Sequence, residues 1–126
     1  DVLGSRGLGD VYKRQGLLNA KQRKLSEAYT LLRPYADVNS AIAALSVNKN
    51  EEAKQIMEGV QATSPVAEYV RSMISARFGD TAKFYKHIVD AVIDSKLHNR
   101  AKTEVDFLPY HNEQRFINII TNGKED

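Results

Sequence analysis

His87 and His98 stand eleven residues apart, a spacing that puts two imidazoles on one face of an unbroken helix, where they could share a divalent metal. No third ligand follows at a matching interval, and Asp94-Ser95-Lys96 between them reads as a helix end, so the expectation is two solvated histidines. His111 follows Pro109-Tyr110 and is expected at a turn. Asp90 and Asp94 form an i, i+4 carboxylate pair, with Lys86 four residues before Asp90. Acid–base work by such a pair needs a desolvated cleft, and the spacing alone predicts an exposed charged face. No serine lies in a G-x-S-x-G context, and cysteine is absent, so neither a nucleophile elbow nor a thiolate site is written here. Gly123-Lys124 lacks the second glycine of a phosphate loop. The chain is therefore expected to be no enzyme, with no catalytic residue, no cofactor and no metal.

The remaining polar group of interest is Tyr69, Met73 and Arg77, at i, i+4 and i+8 of one helical stretch. An aromatic ring, a soft apolar chain and a guanidinium in line suit a peptide that carries an acidic group, which makes these three the candidate partner-binding residues. The competing reading, which we favour, places Tyr69 and Met73 in the core and has Arg77 reach a helix-end carbonyl. Arg71 lies beside this stripe.

The elements that must carry these residues follow from apolar spacing, which is 3.6-like nearly throughout. One stripe is Leu25, Ala28, Tyr29 and Leu32, ended by Pro34; a second is Val38, Ile42 and Leu45, thinned by Ala41 and Ala44. Ala53, Ile56, Met57 and Val60 form a third, and the fourth runs from Val66 through Tyr69, Val70, Met73 and Ile74 to Phe78. Phe84, Ile88, Ala91 and Val92 form a fifth, and Phe116, Ile117, Ile119 and Ile120 a last short one. Asn50, Ser64 (before Pro65), Asp80 (after Gly79) and Asn112 are the expected helix caps. No window alternates with period two, so the chain is expected to be all-α, with about six helices.

Composition bounds the rest. The 126 residues allow one ordinary domain, and 18 basic against 16 acidic residues leave a net charge of +2. That balance, without lysines and arginines clustered on one helix, argues against a nucleic-acid partner. No apolar run approaches the roughly 20 residues of a membrane-spanning helix, so no direct membrane insertion is expected.

Ala53, Met57, Val60 and Pro65 lie at offsets 0, 4, 7 and 12, the small residue, packing positions and closing proline of a tetratricopeptide repeat's second helix. Helices that cross closely admit only Ala, Ser or Gly at the contact, and Ser72 is the corresponding small residue in the fourth stripe. Phe84 stands where such repeats usually have alanine. The runs A-I-A-A-L-S-V-N-K-N-E-E-A-K-Q-I-M (residues 41–57) and Y-V-R-S-M-I-S-A-R-F-G-D (residues 69–80), with A-K-T-E-V-D-F (residues 101–107) before Phe116, resemble the tetratricopeptide-like C-terminal regions of bacterial envelope proteins of the OmpA-associated type. The resemblance covers residues 17–120. It implies antiparallel helix pairs stacked as a short right-handed solenoid, a non-catalytic interaction or scaffold module with a protein or peptide partner, and a periplasmic or outer-membrane setting. It gives Arg77, in Ala-Arg-x-Gly, a structural role. The alternative is an accessory helical domain of an enzyme whose catalytic part lies upstream.

Residues 5–15, S-R-G-L-G-D-V-Y-K-R-Q, resemble the translation of a sequencing-library adapter. The expected organisation is accordingly residues 1–15 as a non-native, disordered segment, 16–122 as the helical-repeat domain and 123–126 as a frayed tail. Without the first 15 residues the chain carries 15 basic and 14 acidic side chains. The glycine cluster Gly4, Gly7 and Gly9 beside Arg6, which imitates a phosphate loop, falls in the excluded part.

Overall fold

The computed structural model describes residues 11–123, with side chains from Lys21 onward. Among these residues the chain is all-α: α1 (Val11–Leu32), α2 (Val38–Ser46), α3 (Asn50–Gly59), α4 (Pro65–Phe78), α5 (Thr81–Ala91), α6 (Ser95–Ala101) and α7 (Gln114–Asn122). Two 3-10 helices, Arg33–Tyr35 and Val105–Tyr110, complete it, and no strand is present among the described residues. Of the segment read as adapter, residues 1–10 lie outside the described residues, as do 124–126 of the tail. Residues 11–15 are helical, and α1 runs across the expected boundary. V-Y-K-R-Q contains no helix breaker, and the single Gly16 costs a helix only about 1 kcal/mol.

The helix ends obey local chemistry. Pro34 closes α1 by entering a 3-10 turn. Asp37 and Ser40 form a reciprocal capping box on α2: Asp37 Oδ1 accepts from the Ser40 amide at 2.9 Å and Ser40 Oγ from the Asp37 amide at 2.7 Å. Ser64 Oγ accepts from the Ala67 amide, with Pro65 at the first helical position. Gly79, at φ 73°, ends α4 in the left-handed conformation that glycine adopts without strain. Asp80 Oδ1 then accepts from the Lys83 amide to start α5. Two expected caps are elsewhere. Lys49 precedes α3 without a side-chain bond, because Asn50 is already helical and its carboxamide is engaged by Arg77. Glu113, not Asn112, precedes α7, and its carboxylate accepts from the Tyr85 hydroxyl.

Packing follows the chain. α1 packs on α2, α2 on α3 and α4 on α5, while α2 and α3 both also touch α4. Only two residues join α4 to α5 and three join α2 to α3, so each packed pair must run antiparallel. The core divides in two, and α4 is their common wall. On one side Ala67, Val70 and Ile74 meet Tyr29, Leu45, Ala53 and Met57; on the other Tyr69 meets Phe84, Ile88, Phe107 and Phe116. Met73 touches both.

The two cores have different chemistry. The first is built on alanines 41, 43, 44, 53 and 67, which let helices approach closely. The second is aromatic. Phe84, fully buried, stacks on Tyr110 with ring centroids 4.0 Å apart and meets Phe107 edge-on at 5.1 Å.

Four expectations need correction. Ile42 is exposed, because Ala41, Ala44 and Leu45 form the inner face of α2. Val66 and Phe78, at the ends of the fourth stripe, are also exposed. α5 ends at Ala91, in keeping with the helix end read at Asp94-Ser95-Lys96, but Asp94 also starts α6: its Oδ1 accepts from the Lys96 and Leu97 amides, so Asp90 and Asp94 do not pair on one helix. The run 101–107, whose likeness is to the acidic-Phe closing helix of those envelope regions, is no single helix, since it passes from α6 into the 3-10 helix that contains Pro109.

Candidate functional site

α3, α4 and α5 enclose an open cleft of about 300 Å³. Its apolar lining is Met57, Ile74 and Phe78, of which Met57 and Ile74 belong to the first core. Phe78 remains 43% exposed at the mouth. Lys54 of α3 and Lys83 and Lys86 of α5 line the rim. The α5 lysines are three residues apart and therefore project from one face. Lys54 Nζ stands 4.9 Å from the Phe78 ring centroid, a cation–π contact.

Two of the lining side chains, His87 and Arg71, are held by Glu68, which is 6% exposed. Its Oε1 accepts from His87 Nδ1 at 2.6 Å and its Oε2 from Arg71 Nη1 at 3.0 Å. Arg71 also donates to the carbonyls of Ala62 and Val60, each at 2.7 Å. One buried carboxylate thus orients an imidazole of α5 and, through Arg71, pins the connection between α3 and α4. Because Nδ1 is taken, Nε2 is the ring nitrogen that His87 offers to the cleft.

The three candidate residues on α4 do not form an open stripe. Tyr69 is 3% exposed, tilted against the Phe107 ring at 5.4 Å, and its hydroxyl donates to Glu104 Oε1 at 2.8 Å. Burial, reinforced by the Glu104 carboxylate, pushes this phenol above its ordinary value; burial and Glu113 do the same at Tyr85. Met73 is packed between the two cores. Arg77 donates to the Leu45 carbonyl at 2.9 Å, to Asn50 Oδ1 at 2.7 Å and to Asp106 Oδ2 at 3.1 Å. The physical reason is location: α4 is covered on both sides, so its polar side chains serve helix ends and buried partners.

His111 lies in a turn, as expected, whereas the reading of His87 and His98 is corrected. His87 and His98 belong to different helices, α5 and α6, and neither is simply solvated. His98 Nε2 donates to the Ile120 carbonyl and ties α6 to α7. His111 stacks on Phe116 at 5.2 Å. Among the described residues, no three His, Cys, Asp or Glu side chains are grouped to hold a metal ion, and no helix is long and apolar enough to cross a membrane.

Sequence reasoning missed the cleft itself. Its lysines come from two helices that the fold alone brings together, and the one available signal was the Lys83–Lys86 spacing on a helix whose other face is apolar. No family model, no curated protein and no solved structure matches the chain.

Proposed function

We propose that the chain is a non-catalytic interaction or scaffold module, built as tetratricopeptide-like antiparallel pairs in a short right-handed solenoid, whose partner is a protein or peptide. The observation that carries this reading is the use of α4 by both neighbours. α2–α3 and α4–α5 are packed hairpins, and both helices of the first hairpin lean on the first helix of the second. That is how a repeat array shares its core between units. Ala53 and Ser72, the small residues at the expected crossings, are both fully buried. The best-bonded polar residues, Arg77, Glu68 and Arg71, hold helices to one another, which suits a molecule whose contribution is a fixed shape. Membership of the envelope family and a periplasmic or outer-membrane setting rest on the sequence resemblance.

Selection of a random-peptide display library on the immobilised chain tests the interaction reading. A consensus whose synthetic peptide binds saturably supports it. Failure to enrich any sequence over blank resin contradicts it.

A further inference from the structure

Resting on that interaction reading, we infer that the cleft between α3 and α5 binds an acidic peptide segment bearing one apolar or aromatic anchor. The volume selects the anchor. About 300 Å³ is at the small end of binding pockets, enough for one large side chain over Met57, Ile74 and Phe78. The rim selects the charge. Among the described residues no carboxylate lies within ion-pair distance of Lys54, Lys83 or Lys86. The wall's two carboxylates, Glu58 and Asp80, do not balance them, and Asp80 is turned to the backbone amide of Lys83 in capping α5. Three ammonium groups around one apolar floor are complementary to carboxylates that flank a hydrophobic side chain. His87, fixed by Glu68, adds a ring nitrogen whose position is set before a ligand arrives, which lowers the ordering cost of binding.

The contact surface is small, so binding is weak and reads best by fluorescence anisotropy at low salt. The probe is a fluorescein-labelled decapeptide with four glutamates around one central phenylalanine. Three counterparts accompany it: lysines for the glutamates, serine for the phenylalanine, and a single-stranded DNA oligonucleotide of equal charge. The glutamate–phenylalanine peptide is expected to bind saturably, at least tenfold more tightly than each counterpart, and to weaken as salt rises. The double variant Lys83→Glu/Lys86→Glu changes two exposed side chains and is expected to keep the helical circular dichroism and lose at least tenfold in affinity. Phe78→Ser is expected to weaken the phenylalanine peptide while leaving the serine peptide unchanged. Equal binding of the lysine peptide or the oligonucleotide, or unaltered affinity in a folded Lys83→Glu/Lys86→Glu chain, overturns the inference. The display selection separates the two claims. A consensus without acidic residues, or one insensitive to Lys83→Glu/Lys86→Glu, overturns the cleft assignment and leaves the interaction reading standing; no consensus overturns both.

Discussion

Arg77 closes α2 through Leu45. The guanidinium donates to the Leu45 carbonyl at 2.9 Å, in the last turn of a helix that begins 39 residues earlier in the chain at Val38. The same group holds Asn50 at the start of α3 and Asp106 in the 3-10 helix Val105–Tyr110. One side chain on the common wall therefore satisfies a helix end on one side and a carboxylate on the other. Arg77→Ala is expected to cost about 2–3 kcal/mol in urea unfolding, because it removes three hydrogen bonds and takes the guanidinium from the Asn50 carboxamide oxygen and the half-buried Asp106 carboxylate. Arg77→Lys is expected to recover less than half, since an ammonium cannot span three partners in the same fork. Unchanged unfolding midpoints for both would remove Arg77 from the load it is assigned here.

The two cores predict opposite sensitivities to side-chain size. Ala53→Leu forces bulk into the fully buried contact of α3 and should destabilise by about 1–3 kcal/mol. Phe84→Ala empties the centre of the aromatic core and should cost about 3–5 kcal/mol. Urea melts at constant m value measure both. A tolerated Ala53→Leu would mean that the register of the α2–α3 hairpin is wrong.

Because α4 walls both cores, damage to one should be felt in the other. In hydrogen exchange, Phe84→Ala is expected to lower protection of α2 and α3 amides together with those of α5. Loss confined to α5–α7 would indicate two independently opening halves.

Tyr69 and Tyr85 give the fold an alkaline limit. Both phenols keep their proton in the folded state beyond the ordinary value near 10, chiefly through burial and then through Glu104 and Glu113. Above that pH the unfolded chain binds fewer protons than the folded one, so the contribution is complete below about pH 10 and is lost as pH climbs toward the folded-state value. The double variant Tyr69→Phe/Tyr85→Phe is expected to flatten the fall of stability between about pH 9.5 and 11.5, from roughly half a unit below the phenol's reference near 10 to roughly a unit and a half above it. An identical slope in the variant and the parent would refute the assignment.

Much of the fold is legible in the sequence, and the reasons are local. Ser64-Pro65 and Gly79-Asp80 specify a helix start and a helix-to-helix turn with almost no tertiary help, and the apolar period marks α4, α5 and α7. The readings that failed are those where a distant partner decides. Asn50 reads as a cap until Arg77, 27 positions away, claims its carboxamide. Ile42 reads as core until the close α2–α3 approach turns the alanine face inward. Asp94 is a local case: the helix end read there holds, and its second use, starting α6, looks the same in sequence. The cleft was not legible at all: Lys54 and Lys83 become neighbours only when α3 and α5 are set on either side of α4.

The central claim is that a rigid stack of helices offers a preformed surface to a partner. Amide chemical shifts recorded while the glutamate–phenylalanine peptide is titrated into the uniformly nitrogen-15-labelled chain test it most directly. The account predicts saturable shifts clustered around Lys54, Met57, Ile74, Phe78, Lys83 and His87, with the amides of the aromatic core unmoved. Shifts spread through the aromatic core, or none at millimolar peptide, would contradict it.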